Sequence, residues 1–269
     1  DKVRENLVLH AKWNPEPYEI TYELDGGTNS EANPATYTAE DTVKLADPVK
    51  AGYIFLGWYT TADGTGTKVT EIAAGNRGAK TFYALWTPME QIYEIHHMLQ
   101  TVDGNDYEDA ETVKATALTG TKVTAGAEQS KTYTGFTFSG IQTDDSTGIV
   151  PAEGTLVLKL YYNRNIYDVT FSGTNSADQT VNVPYQGKVN EPETPVKAGY
   201  TFTGWYVTAE PSRLWNFGTD VVTGTTELRA GWSANTYNVT FDLCGGAGGD
   251  GNVQATYDSA LPTITVPAW

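Results

Sequence analysis

The chain is defined first by what it has little of. Among 269 residues there is one cysteine, Cys244, so neither an intrachain disulfide nor a multi-cysteine metal site can form. There are three histidines and two methionines. No apolar run approaches the roughly 18 residues a membrane helix needs, so no membrane insertion is expected. The opening stretch DKVRENLVLH has neither a signal-peptide core nor a small-residue cleavage site, and any export signal is expected to lie outside these residues. Positive charge is scarce: 17 Lys and Arg against 33 Asp and Glu give a formal net charge of -16. Such a surface repels phosphate backbones and anionic membranes, which excludes nucleic acid as a partner and favours solubility.

Catalytic signatures are missing as well. There is no G-x-S-x-G, no Walker loop and no recognisable Cys–His pairing. GGAGGDG, from Gly245, is followed by no helix signal and reads as a turn, not a phosphate cradle. His96 and His97 are adjacent in a strand pattern and point to opposite faces, so they cannot easily share an ion. His97 takes the core phase and His96 the solvent phase. DGNDYEDAE, from Asp103, lacks the twelve-residue calcium loop and reads as a solvated hairpin. No catalytic residue, metal ligand or cofactor site is expected, and the chain is not read as an enzyme.

What is present is repetition. Thr, Gly and aromatic residues abound, and long helix formers are few, which favours strands joined by turns. PVKAGYIFLGWY at Pro48 returns as PVKAGYTFTGWY at Pro195, differing only where Ile54 and Leu56 become Thr201 and Thr203. An opening motif starts at Tyr18 (YEITYEL), Tyr93 (YEIHHML), Tyr167 (YDVTFSG) and Tyr237 (YNVTFDL). Its large residues recur at every second position, the period of a strand with one buried face. A closing motif ends at Trp13, Trp86 and Trp232, with Leu9, Phe82 and Leu228 four residues earlier and Ala11, Ala84 and Ala230 between; the middle copy has Leu158, Leu160 and Tyr162. Each closing strand should therefore present a large, small, aromatic inner face, or something near it. The links NPEP, TPMEQI, NRNI and SANT are too short for wide-angle tumbling.

In AGY-x-F-x-GWY, Tyr53, Phe55 and their copies Tyr200 and Phe202 share the core phase, and Trp58 and Trp205 fall out of it unless Gly57 and Gly204 mark bulges. The expectation is a phase-shifting glycine followed by a tryptophan capping the sheet edge. TGFTFSGI, from Thr134, has the same form with Ile141 in the Trp slot, so the middle copy is a divergent relative of its neighbours. Tyr37, Tyr185 and Tyr257 are expected to share one slot. Short helices are expected only around 39–45 and 125–131. Cys244 stands in LCGG where the first copy has LDGG, a turn position.

These residues resemble a known family. YEITYELDGG, PVKAGYIFLGWYTTADGTG and FYALW, and again YDVTF, PVKAGYTFTGWY and LRAGW, carry the pattern of the Listeria–Bacteroides repeat, also known from internalin B-type repeats. YEIHHMLQTVDGNDY, TGFTFSG and LVLKLYYNRN look like the mucin-binding-protein-like repeats that often alternate with them. The resemblance implies a mostly β, α+β chain: tandem β-grasp (ubiquitin-like) modules of about 70 residues in an elongated array, on secreted or wall-attached bacterial proteins. The expected organisation is a last strand of a preceding repeat at 1–14, a B-type repeat at 15–88, a mucin-binding-like repeat at 89–163, a B-type repeat at 164–233, and the first half of a following repeat at 234–269. The chain is thus read as a piece of a longer array. The second B-type copy departs from the pattern with TFSGTNSADQ in place of the GG turn, and with RLWNF at 213–217.

Most aromatics recur at fixed slots, as core packing requires. Arg213 and Trp215 fall outside those slots and are the candidates for ligand contact, with local packing as the competing reading. The leading expectation is a non-catalytic extracellular spacer or stalk in a bacterial cell-surface protein, whose modules have one another as partners and project an adhesive or enzymatic head. The alternatives are modules that themselves bind host glycan or protein, and an accessory segment of a secreted enzyme.

Overall fold

The computed structural model describes residues 2, 4–6, 8–140 and 143–268; their regular structure is strand joined by turns and irregular segments, apart from two single-turn 3-10 segments among the described residues. The chain divides into two compact units, one built from residues 1–96, 111–128 and 142–160, the other from 97–110, 129–141 and 161–269.

In the first unit, one sheet has the order Thr36–Tyr37, Tyr18–Glu23, Lys80–Pro88, Tyr53–Tyr59, Lys68–Val69. The opening strand alternates as its sequence does: Ile20 is buried, with Thr21 and Glu23 exposed. It runs parallel to the closing strand, pairing Tyr22 with Phe82. Parallel neighbours need a long crossover, and residues 24–79 supply it. Within that excursion, Tyr53–Tyr59 returns antiparallel along the other side of the closing strand. The core gathers Ile20, Tyr37, Leu45, Trp58, Ile72, Phe82 and Ala84.

The glycine of GWY is a bulge. Phe55 pairs with Trp86 and Gly57 with Leu85, so the register slips by one residue between them. Gly57 has φ 141°, in the region that favours glycine, and the side chain of Lys68 lies over it. Beyond the slip the phase is inverted, and Trp58 turns inward opposite Ala84 with 2% exposure. The expectation that the Trp caps an edge is corrected here: the indole fills the centre, and the small closing-strand residue makes room for it. Trp205 opposite Ala230 repeats the arrangement after the bulge at Gly204. In the middle copy, where Trp is absent from the sequence, the small slot is taken by buried Leu160; Ile141 itself lies outside the described residues.

The second unit contains the corresponding sheet of order Gln179–Pro184, Ile166–Ser172, Thr226–Ala234, Tyr200–Val207, over a core of Val169, Phe171, Val183, Val189, Trp205, Val207, Trp215, Val222, Leu228 and Ala230. A further sheet has the order Phe136–Phe138, Val157–Arg164, Glu90–Gln100, Tyr107–Leu118. Thr236–Thr240 and Asn252–Thr256 form a two-stranded hairpin.

Three expectations about local structure need correction. Residues 39–45 hold turns and the short strand Val43–Lys44 instead of a helix, and 125–131 hold one 3-10 turn, Ala127–Gln129. The closing-strand sequence at 1–14 forms no strand among its described residues, with Leu9 83% and Trp13 86% exposed. Finally, Tyr37 does not share a slot with Tyr185 and Tyr257. Tyr37 pairs with Tyr18, whereas the residue pairing with Tyr167 is Val183 and the one pairing with Tyr237 is Ala255. Tyr185 and Tyr257 therefore lie two residues farther on, past the strand.

Candidate functional site

The candidates for chemistry resolve into packing and solvated turns. Trp215 is 6% exposed and belongs to the core of the second unit, its backbone N–H donating to Trp205 O at 2.8 Å. Arg213 places its guanidinium 5.4 Å from the Trp215 ring centroid and pairs with Asp220 at 3.0 Å. The two candidates are thus brought together, with the arginine closing the outer side of a core tryptophan beside a cleft of 820 Å³. His97 is fully buried, its Nδ1 2.8 Å from the Tyr162 hydroxyl, and it stacks on that ring at 5.6 Å. His96, on the other face, lies 3.4 Å from Glu94. Asp103 sits in the turn between two long strands, its carboxyl held below the usual range chiefly by the Thr101 hydroxyl, then by Asn105. Cys244 has φ 50° where Asp25 has 46°, the same left-handed turn position. Among the described residues, no group of three or more His, Cys, Asp or Glu could hold a metal ion.

What recurs with constant geometry is the passage from one copy to the next. The links of four to six residues are almost wholly absorbed into strands. Lys80–Pro88 and Glu90–Gln100 are separated only by Met89, Val157–Arg164 and Ile166–Ser172 by Asn165, and Thr226–Ala234 and Thr236–Thr240 by Asn235. Each separating residue makes the same two backbone hydrogen bonds. In the first unit, Met89 N–H donates to Gly52 O and Met89 O accepts from Thr119 N–H, both at 2.9 Å. In the second unit, Asn165 N–H donates to Gly135 O at 2.9 Å and Asn165 O accepts from Tyr185 N–H at 2.8 Å. Asn235 repeats this with Gly199 and Tyr257 at 2.9 and 2.8 Å.

The glycine in each relay is the one in AGY or TGF. Its φ is 73°, 79° and 78° at Gly52, Gly135 and Gly199, as the turn requires. It has a second reason to lack a side chain. A Cβ on Gly135 would fall within the Tyr185 ring's contact distance, 2.1 Å from Cδ1, and one on Gly199 would sit 2.3 Å from Tyr257 Cδ1. At Gly52 the corresponding obstacle is the backbone of Ala152, at 2.8 Å. Side chains reinforce two of the relays: Thr137 Oγ1 donates to Asn165 Oδ1 at 2.7 Å, and Thr201 Oγ1 to Asn235 Oδ1 at 2.6 Å. Cations cover the aromatic residue that follows the glycine, with Lys50 over Tyr53 at 4.4 Å, Arg164 over Phe136 at 4.6 Å and Lys197 over Tyr200 at 4.1 Å. The asparagines of NRN and SAN carried a signal in their shared position, but their partners are remote in sequence and could not be read from it.

Comparison with known proteins agrees with the repeats. The profile of the Listeria-Bacteroides repeat domain matches residues 18–85 and 167–231. A protein of Evansella cellulosilytica named as a Gly-rich membrane protein is 30% identical over 271 residues, covering 93% of this chain and 30% of that protein. A second protein of the same organism, named as a membrane protein, is 27% identical over 245 residues, covering 88% of this chain and 35% of its own length. Internalin H of Listeria monocytogenes is 32% identical over 136 residues, covering 49% of this chain and 23% of that protein. The chain thus spans about a third or less of the relatives it matches. Among the described residues, no helix is long and apolar enough to cross a membrane.

Proposed function

We propose that this chain is a non-catalytic, extracellular segment of a bacterial surface protein, a spacer that carries an adhesive or enzymatic head. Support comes from two repeat-domain matches and from relatives named as membrane proteins and as an internalin. In this reading 15–88 and 164–233 are B-type modules of β-grasp kind, and 89–163 is a mucin-binding-like module between them. The mixed sheet, with an opening strand parallel to a central closing strand, is consistent with that fold.

The observation that carries the spacer reading is the recurrent relay at Met89, Asn165 and Asn235. A single residue bonded on both sides leaves little freedom at a junction, whereas a module free to reorient needs a longer, unbonded link. Repulsion among acidic modules acts in the same direction. The test is a distance distribution between spin labels on exposed Glu108 and Asp178, on either side of Asn165. One narrow distribution is expected, broadened by Asn165→Pro, which removes the donated N–H. A broad distribution in the unaltered chain overturns the spacer reading.

A further inference from the structure

The sheet of the second unit ends on one side at Gln179–Pro184, whose first four residues are exposed. The ladder fixes the phase of this strand. Tyr185 N–H donates to Asn165 O, and antiparallel pairs alternate between bonded and unbonded. Val183, Val181 and Gln179 therefore turn their backbone groups inward, to Tyr167, Val169 and Phe171. Thr180 and Asn182 take the unbonded positions opposite Thr170 and Asp168, where side chains approach most closely. Those side chains do meet: Thr180 Oγ1 is 3.0 Å from Thr170 Oγ1, and Asn182 Nδ2 donates to Asp168 Oδ1. The hairpin of Thr236–Thr240 with Asn252–Thr256 shows the same phase at both ends, in the bonds from Tyr257 N–H to Asn235 O and from Phe241 N–H to Gly251 O. The backbone N–H and C=O groups of Thr180 and Asn182 thus point away from the sheet, and among the described residues none of the four has a hydrogen-bond partner.

Edges of this kind invite pairing, and proteins blunt them with short strands, proline, charge or a covering segment. Other edges of this chain carry such devices. The edge strand of the first copy, Thr36–Tyr37, has two residues and follows Pro34 closely. Tyr107–Leu118 carries Glu108, Asp109, Glu111 and Lys114. Tyr200–Val207, on the far side of the same sheet, is covered by 213–215: Val207 N–H donates to Arg213 O at 3.0 Å, and Trp215 N–H to Trp205 O at 2.8 Å. Gln179–Pro184 has no charged residue, in a chain of net charge -16, and its one proline stands last. Asn252–Thr256 is uncharged too, but a two-stranded hairpin is marginal by itself, whereas 179–184 borders a core that includes Val183. At the centre of the bare edge, Val181 is 40% exposed although it shares the phase of buried Val183.

We propose that this edge pairs antiparallel with the same edge of a second copy of the chain, about a two-fold axis at Val181. In that register Val181 faces Val181 of the second copy in an unbonded pair. Thr180 exchanges both backbone bonds with Asn182 of the second copy, and Asn182 does the same with its Thr180. The two four-stranded sheets become one. A second copy is the occupant for two reasons. An isologous contact needs a self-complementary patch, and the outward groups of Thr180 and Asn182, set symmetrically about Val181, are one. The edge is also a neutral strip on an acidic chain: a basic partner finds no carboxylate along these six residues, whereas two chains that repel each other elsewhere can meet there. No charge is set against its like, since Gln179 falls opposite Val183 of the second copy. This goes beyond the spacer reading and does not depend on it.

The test is a dilution series of the 15N-labelled 269-residue chain, from about 1 mM to about 20 μM, with sedimentation equilibrium alongside; a contact this small belongs to the weak, transient class. The expected result is a monomer–dimer equilibrium. Concentration-dependent amide shifts should centre on Thr180, Val181 and Asn182, with slower hydrogen exchange of Thr180 and Asn182 in the concentrated sample. Raising NaCl from about 50 mM to about 500 mM should tighten the dimer by about threefold or more, since salt screens the repulsion between the two chains. Val181→Lys, at an exposed position, should keep the folded spectrum and weaken the dimer by about tenfold or more. Thr180→Pro, which removes one outward N–H where an edge strand tolerates proline, should do the same. Val253→Lys, on the other neutral edge, should leave the dimer unchanged. A single species of monomer mass up to about 1 mM overturns the proposal, whatever other polypeptide the edge is then found to bind. A dimer that persists in both variants of the 179–184 edge overturns it too, as does one that Val253→Lys abolishes.

Discussion

Trp58→Ala asks whether the two GWY cores stand or fall separately. The side chain is 2% exposed, and a tryptophan buries about 150–250 Å². At about 25 cal/mol per Å² this corresponds to about 4–6 kcal/mol as an upper figure. Truncations of this kind cost about 3–5 kcal/mol, cavity included. The bond from Nε1 to Ala46 O adds about 1 kcal/mol, and its loss strands no acceptor, because Asn33 Nδ2 also donates to Ala46 O at 3.0 Å. The expected total is about 4–6 kcal/mol. A domain of about 70 residues is stable by only about 4–10 kcal/mol, so this loss removes a large part of the first copy's stability, and all of it at the lower end of that range. Amide hydrogen exchange followed by NMR measures this residue by residue. Protection should collapse at Ile20, Phe82 and Ala84, and persist at Val169, Leu228 and Ala230, which belong to a separate core cluster. Trp58→Phe should recover much of the loss. If protection falls equally in both sets, the cores are one cooperative unit; if the loss is under about 2 kcal/mol, the tryptophan is not the centre of its core. Either result refutes the reasoning.

Gly204→Ala should lower stability by about 1–3 kcal/mol, since φ is 129° and the added Cβ would lie 2.4 Å from Leu214 Cδ1; calorimetry checks it, and Leu214→Ala should relieve only the steric part. Gly135→Val should weaken the Asn165 relay, because a side chain there collides with the Tyr185 ring; 15N relaxation should report increased motion at Asn165 and Tyr185. Asp63 has its carboxyl lowered to about 2, chiefly by the Thr61 hydroxyl and then by Thr65. A depressed folded-state value stabilises the turn above the unfolded value and loses that contribution as pH falls. The Thr65 amide should therefore titrate with a midpoint near 2, and Asp63→Asn should abolish that titration.

Much of this architecture is set within short stretches of sequence. Period-two alternation from Tyr18 and from Tyr167 dictates which face of each strand is buried, and the burial of Ile20 and Val169 follows from it. Gly57 and Gly204, each one residue before a tryptophan in the wrong phase, foretell a bulge, because only a slip in register brings both large residues to one face. The left-handed turn at Cys244 is equally local. Tertiary structure decided what those local features touch. It sent Trp58 to the centre of a core instead of an edge, because Ala84, brought alongside by the closing strand, left the space. It parted Tyr37 from Tyr185 and Tyr257, which the eye aligns by spacing but strand pairing does not. It assigned Trp58 Nε1 an acceptor, Ala46 O, and Trp205 Nε1 none among the described residues. Phase and backbone sign are properties of neighbouring residues, whereas which donor meets which acceptor depends on chain segments that only folding brings together.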